Sequence, residues 1–400
     1  MPSFLHGVEV VEIDYGPRPI QTVRSSVIGL IGTAPDADAA KFPLNTPVMI
    51  AGNRLEAAAL DTVGAGNGTL PDAIDGIFDQ AGAVVVVVRV DEGLDLAATI
   101  SNVTGGVDVE TGAYTGVHAF LAAESVLGFA PRILCAPGFT SHRPEDPVTS
   151  GQFLANPVVA ELLGIADRLR AVIIADGPDT NDADAITYAA DFGSRRVYLV
   201  DPGVKVFADG EVAIEPASAR VAGMIAKSDA ERGFWWSPSN REMYGIVGTT
   251  RPIDFTLGDA DARANLLNEQ NIATIIRQDG YRLWGNRTLS SDPKWAFINV
   301  VRTADMINES LLRAHLWAVD RNITKTYLED VVEGVNNYLS YLTTLGAILG
   351  GKCWADSELN TPSNLAAGKV FFDFDFTPPA PAERVTFRSR MVNDYFEQIV

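Results

Sequence analysis

The run Ala83–Val90, AVVVVVRV, constrains this chain more than any other stretch. An unbroken β-branched segment loses χ1 freedom in a helix and offers water no polar face. It therefore predicts a strand covered on both sides. Shorter apolar runs repeat the theme at Val27–Ile31, Val48–Ala51, Arg132–Ala136 (RILCA), Arg170–Ala175 (RAVIIA) and Arg196–Val200 (RVYLV). Helix-like stretches lie at Leu55–Leu60, Asp72–Ala81, Val158–Leu169 and Ala183–Phe192. Strand alternating with helix predicts a mainly parallel α/β sheet.

The second half has a different texture. Short strands are expected at Ile272–Ile276, Tyr281–Trp284 and Ala296–Val301, separated by Gly280, by Gly285-Asn286 and by Ser291-Asp292-Pro293. After Thr303, the residues Ile307, Leu311, Leu316, Val319 and Ile323 recur at near-helical spacing. A second helix is expected from Thr324 towards Leu349, with Leu328, Val332, Val335, Leu339 and Leu342 on one face and a stop at Gly350-Gly351. Two long helices beside a small sheet make an α+β unit. Four hundred residues exceed what one core organises, so at least two domains are expected.

Both ends carry strand-like runs set off by prolines. Val8 and Val10 alternate with Glu9 and Val11, ahead of Gly16, Pro17 and Pro19. Near the other end, Phe372, Phe374 and Phe376 alternate with Asp373 and Asp375 and predict a half-buried strand. Pro378, Pro379 and Pro381 then form a stiff spacer that cannot donate to a sheet. A further run, ERVTFRSRMV, places Val385 and Phe387 on one face and Arg384, Arg388 and Arg390 on or near the other. A strand held away by a stiff spacer is suited to complete a sheet in a neighbour. An ordinary terminal strand folded back on its own body is the alternative, and this stretch alone leaves both open.

Charge and motifs narrow the function. The net charge of −20 argues against nucleic acid and anionic membranes. Residues 1–240 carry 15 basic and 31 acidic side chains, whereas residues 241–400 carry 16 and 20, so the acidity is concentrated in the first part. No apolar run is long enough to span a bilayer, and Met1–Gly7 lacks the features of a signal peptide. Cys135 and Cys353 match no metal or redox spacing and read as buried thiols, pointing to synthesis in the cytoplasm. His6, His118, His142 and His315 are scattered, and no serine lies in a GxSxG elbow. Asp176 and Asp201 sit where an α/β enzyme would hold ligands, but Asp-Gly-Pro and Asp-Pro-Gly read more simply as turns. Gly64–Gly68 lacks the Lys-Ser/Thr ending of a phosphate loop and reads as a flexible loop. Phe234, Trp235 and Trp236 could stack on sugars or bases, yet without a basic cluster they read as packing residues. No catalytic residue, metal ligand or cofactor is expected.

The segments SSVIGLIG, APRILCAPG, DPGVKVF, GFWWSPSN, TTRPIDF, NEQNIATIIRQDGYRLWGNRTLSSDPKWAFINVVRT and AVDRNITKTYLEDVVEGVNNYL together resemble the tail sheath proteins of contractile phage tails and R-type pyocins. The match covers nearly the whole chain and is most specific from Asn271 to Thr303. The resemblance implies a multidomain α/β and α+β protein. Its inner α+β sheath domain would have strand-exchanging termini and carry an inserted outer α/β domain with a mainly parallel sheet. The implied boundaries are an N-terminal arm at 1–25, an outer domain at 26–235, an inner tube-facing domain at 236–382 and a C-terminal arm at 383–400. It further implies stacking as six-membered rings or a six-start helix around an inner tail tube, with baseplate and tail terminator or collar proteins as further partners. Neither nucleic acid binding nor stable membrane insertion is expected. The mature protein would reside in a phage tail or phage-tail-like particle.

On that reading Phe4, Val8, Val10, Glu12 and Ile13 form the N-terminal arm, and Val385, Phe387, Arg388 and Met391 the C-terminal one. Arg313, Arg321 and Lys325, on or between the two long helices, are the expected tube-facing cations. A sheath subunit would do work by repacking contacts between copies. The competing readings are a cytoplasmic α/β enzyme with an unfamiliar active site and a static structural protein.

Overall fold

The computed structural model describes residues 19–208 and 210–395. The expected N-terminal arm residues Phe4, Val8, Val10, Glu12 and Ile13 lie outside the described residues. The valine run forms a strand inside a nine-stranded sheet. Its strands are β1 (Ile28–Thr33), β2 (Pro47–Ala51), β3 (Val84–Val90), β4 (Ile133–Cys135), β5 (Val172–Asp176), β6 (Val197–Val200), β7 (Arg241–Glu242), β8 (Ile272–Arg277) and β9 (Tyr281–Trp284). The lateral order is β7-β9-β8-β6-β5-β4-β1-β3-β2. Five neighbouring pairs are parallel, from β3 through β1, β4, β5 and β6 to β8. Antiparallel strands close both edges.

The helices α1 (Leu70–Phe78) and α4 (Ser218–Arg232) cover one face, and α2 (Pro157–Leu169) and α3 (Asp182–Ala189) the other. Val85, Val86, Val87 and Val88 are fully buried and divide between the two resulting cores. Each such side chain contributes at most roughly 1.5–3 kcal/mol. Helix α4 packs so closely on α1 that a Cβ at Gly223 would stand 2.7 Å from the Ile77 carbonyl oxygen. Only glycine permits that approach without displacing backbone.

A third core lies below the sheet, between α5 (Ile298–Ala314) and α6 (Lys325–Thr344). Phe234, Met306, Ile307, Val335, Leu339 and Leu342 fill it, and the two-stranded sheet β10 (Gly351–Ala355) and β11 (Phe372–Phe376) lies against it. Phe374 and Phe376 stack at 5.9 Å on the inner side of β11, as their alternation with aspartates predicts.

Three expectations need correction. Ala296–Val301 is not a strand, because Ile298 opens α5, and that helix ends at Ala314 instead of reaching Ile323. Ile298 and Val301 pack into a core of the nine-stranded sheet and Met306 and Ile307 into the core shared with α6, so tertiary packing outweighs the local β-branched content. Helix α6 stops at Thr344, before Gly346 with φ +76°, and not at Gly350. Strands from before and after residue 235 share the sheet, since β8 pairs in parallel with β6 and the Asp201 amide donates to Ala273 O at 3.0 Å. The apolar run Ile272–Ile276 is buried only by joining that sheet.

Helix α5 joins the third core to the sheet. Arg302, Asp305, Glu309 and Arg313 recur at helical spacing and face the amino-terminal ends of the parallel strands. There Arg196, just before β6, pairs with Asp305 and with Asp167. Arg132, just before β4, meets Glu309 at 2.8 Å, and Arg170, just before β5, meets it at 3.4 Å. Arg302 grips Asp229 of α4 through two bonds of 2.7 and 2.6 Å, and both also bind Ser25. Burial pushes the Glu309 carboxyl up, but its arginine partners outweigh burial and hold it below the ordinary range. Replacing Arg302 or Asp229 by alanine leaves a buried charge unpaired and is expected to destabilise the subunit by about 3–5 kcal/mol. Denaturant unfolding of the isolated subunit measures this, and a loss under about 1 kcal/mol would show the pair to be dispensable.

Candidate interaction surfaces

The carboxyl ends of β5 and β6 are where an α/β enzyme would bind a ligand. Here they are closed by the protein's own groups. Asp176 ends β5 and is buried. Its Oδ1 accepts from the Ser218 amide at 2.8 Å, and its Oδ2 from the Ser218 hydroxyl at 2.5 Å and Thr140 Oγ1 at 3.2 Å. It thus satisfies free donors at the start of α4. Burial pushes its pKa up to about 6, against those hydrogen bonds. Asp201 pairs with Arg251, which also holds Asp182 at 2.6 Å. The Asp201 carboxyl is pushed up by burial, with Arg251 opposing. Both aspartates close turns and strand ends, in line with the simpler reading of their motifs.

The other candidates resolve in similar ways. In the Gly64–Gly68 loop, the amides of Gly64, Ala65 and Gly66 donate to Asp61 at 2.7–3.2 Å, so its own carboxylate fills the place a phosphate would take. Cys135 is buried, and burial pushes its thiol far up. Cys353 is also buried, its thiol pushed up to about 11 by burial. His118 bonds Glu161 at 2.7 Å. Phe234 and Trp235 meet edge-on at 5.1 Å in the third core, and the Arg232 guanidinium lies 5.3 Å from the centre of the Trp236 ring. Among the described residues, no group of three or more His, Cys, Asp or Glu could hold a metal ion. No helix among them is long and apolar enough to cross a membrane.

The termini supply the open surfaces. Residues 19–24 run across α5 and α6, with Ile20 and Val23 on the third core. Thr22 Oγ1 lies 2.9 Å from Tyr338 Oη, and the Val23 amide donates to Ser310 Oγ at 3.1 Å. Two grooves of about 690 and 610 Å³ flank this stretch. At the other end, residues 377–392 form no strand with the described residues. Val385, Phe387 and Met391 are 67%, 92% and 98% exposed, and Arg388 is exposed too. The sheet β10–β11 has only two strands: on the outer side of β10 Asn336 bonds the Cys353 amide and carbonyl at 2.7 and 3.0 Å, whereas β11 has no strand partner on its outer side among the described residues.

The expected tube-facing cations differ from one another. Arg313 is bound inward, to Glu309 at 2.8 Å and Glu124 at 2.7 Å. Arg321 lies 5.1 Å from the centre of the Trp317 ring, in the connection between α5 and α6. Lys325 opens α6 with its side chain 88% exposed and Glu329 3.6 Å away. The sequence reading missed the seam on α5. Its signal was present, since RILCA, RAVIIA and RVYLV each begin with an arginine ahead of an apolar strand.

Comparison with known proteins defines the class. Residues 112–289 match the phage tail sheath protein central domain, and residues 290–392 the phage tail sheath C-terminal domain. Residues 25–90 match the N-terminal region of domain III of the tail sheath protein Gp18. A prophage major tail sheath protein of Pseudomonas aeruginosa (strain UCBPP-PA14) is 44% identical over 401 residues, covering 100% of this chain and 99% of the relative. The tail sheath protein of Escherichia phage P2 is 38% identical over 410 residues, covering 100% and 98%. Among solved structures, the helical sheath of the anti-feeding prophage in its contracted state aligns with a TM-score of 0.71 at 20% identity, covering 96% of this chain and 99% of that one. The contracted sheath of the PVC extracellular contractile injection system aligns at 0.67 and 17%, covering 98% and 99%. The chain belongs to the phage tail sheath family. It is a structural subunit of a contractile tail sheath, a component of a phage-tail particle and not an enzyme.

The buried carboxylate gives a pH test. The folded-state pKa of Asp176, about 6, lies above the ordinary 3.8, so the folded state holds the proton more tightly. Its contribution to stability is therefore largest below pH 3.8 and declines as pH rises to about 6. Asp176→Asn is expected to flatten the fall in stability across that window, read from melting temperatures at several pH values. An unchanged pH profile would mean the group does not titrate there.

Proposed function

We propose that this subunit links to its neighbours by lending both terminal segments to sheets in adjoining copies. The observation that supports this most is the presence on one chain of a two-stranded sheet and an exposed terminal segment. Two-stranded sheets are marginal alone, and among the described residues the outer edge of β11 has no strand partner, while that of β10 is met at Cys353 by Asn336 of α6. The segment 383–392 carries Val385, Phe387 and Met391 at odd-numbered positions, and exposes them. Left uncovered, both features would promote aggregation; exchanged between copies, they build a mesh. Each added strand would contribute about four to six backbone hydrogen bonds, at roughly 0.5–1.5 kcal/mol net apiece.

Subunits so linked form six-fold rings or a six-start helix around an inner tail tube, bounded by a baseplate and a terminator or collar protein. The α/β body faces outward and the unit built on α5 and α6 faces the tube. On contraction, the bodies repack and the mesh keeps the copies joined, so new contacts between copies supply the energy. Arg321 and Lys325 face the tube, whereas Arg313 is spent inside the subunit. Exposed ion pairs are individually weak and suit a grip that must release.

Deleting residues 383–400 is expected to leave a folded monomer that no longer forms tubes visible by negative-stain microscopy. Normal assembly of the truncation would refute the exchange of the C-terminal arm. Reversing both cations, Arg321→Glu with Lys325→Glu, is expected to weaken co-sedimentation with the tube by about tenfold, since each exposed pair is worth up to about 1 kcal/mol. Undiminished binding would place the tube contact elsewhere.

A further inference from the structure

The C-terminal segment does not leave the fold where β11 ends. It is tethered at three successive points, each in a different part of the molecule. Thr377 donates to Gly350 O at 3.0 Å and accepts from the Leu349 amide at 2.8 Å, in the turn before β10. Pro379 O accepts from Asn299 Nδ2 at 3.1 Å, in the first turn of α5. Asn299 is buried, and the same amide nitrogen reaches Trp235 O at 3.0 Å. At Glu383 both carboxylate oxygens accept from Arg287, one from Nε at 2.7 Å and one from Nη2 at 2.6 Å.

Arg287 belongs to the body. It lies three residues beyond the end of β9, and its guanidinium lies 5.3 Å from the centre of the Phe297 ring. It falls within the stretch matching the central domain, whereas Glu383 falls within the stretch matching the C-terminal domain. The clasp therefore joins the root of the arm to the α/β body across that division. Beyond it, no hydrogen bond or ion pair ties residues 384–392 to another described residue.

We propose that Arg287 is a positioning residue that sets the direction in which the C-terminal arm leaves the subunit. The arm is then aimed by the α/β body and not by the sheet it departs from. The inference rests on the arm-exchange reading above. A fork of two parallel bonds fixes orientation as well as distance. Pro378, Pro379 and Pro381 stiffen the chain between the tethers, so a hold at Glu383 is transmitted along it. The lever is long. An extended arm of about ten residues reaches roughly 33 Å, and a swing of about 20° at its root moves the tip by about 11 Å, more than twice the ~4.8 Å between paired strands. An unclasped arm would miss its acceptor edge.

The test compares full-length Arg287→Glu, Glu383→Arg and the double exchange. Both side chains are over a third exposed, so each single reversal is expected to keep the monomer melting temperature within about 2 °C. Each should lower the yield of sedimenting polymer by about tenfold, and the double exchange should restore most of it. Normal assembly of the single variants, or a double exchange as defective as the singles, would overturn the role of the clasp. So would a large drop in monomer stability, which would mark a purely structural pair. A chain lacking residues 384–400 serves as the separate control. If it assembles, the arm-exchange reading fails; if it does not while the single reversals do, only the clasp fails.

Discussion

The arrangement of this subunit depends on a row of charges along α5. Arg302, Asp305, Glu309 and Arg313 each meet an opposite charge on the α/β body, and Arg132, Arg170 and Arg196 stand at the amino ends of three adjacent strands to receive two of them. The two sides of this seam also share apolar packing, since Ile298 and Val301 of α5 lie in a core of the sheet while Met306 and Ile307 lie in the third core. An apolar contact would tolerate sliding by a turn of helix. A half-buried row of paired charges does not, because any shift strands several ions without partners.

The periphery is built on the opposite principle. Where the seam pairs its ions, β11 has no strand partner on its outer edge among the described residues, and Phe387 and Met391 stand in solvent. A monomer so made is stable at its centre and incomplete at its ends. That contrast suits a polymer whose links must survive while its bodies move past each other. It also explains why the enzyme-like face of the sheet holds no open site. Asp176, Ser218 and Thr140 bond one another across the ends of the strands, and Arg251 binds Asp201 and Asp182.

Much of the body was legible along the chain. The valine run could only be a strand covered on two faces, and the strands at Ile133, Val172 and Val197 followed from short apolar runs bounded by turns. Less was legible below it. Ile298–Val301 has the content of a strand, yet as a helix it buries Ile298 and Val301 in a core of the sheet and Met306 and Ile307 in the core shared with α6. The strands at 272–284 have a partner far away in the chain, and local pattern says nothing of which sheet a strand enters. Arg313 looked like a free cation on a helix, and only the fold brings Glu124 beside it.

By itself the sequence determined which segments needed covering and which were stiff, because side-chain branching, apolar period and proline act within a few residues. It also carried the family, through a long collinear match. Only the tertiary structure decided which charges cancel, where one unit ends and the next begins, and that the arm is clasped by Arg287. Those outcomes turn on distances between residues remote along the chain. The pair Arg287 and Glu383 is separated by 96 positions, and no local preference of either one encodes the other.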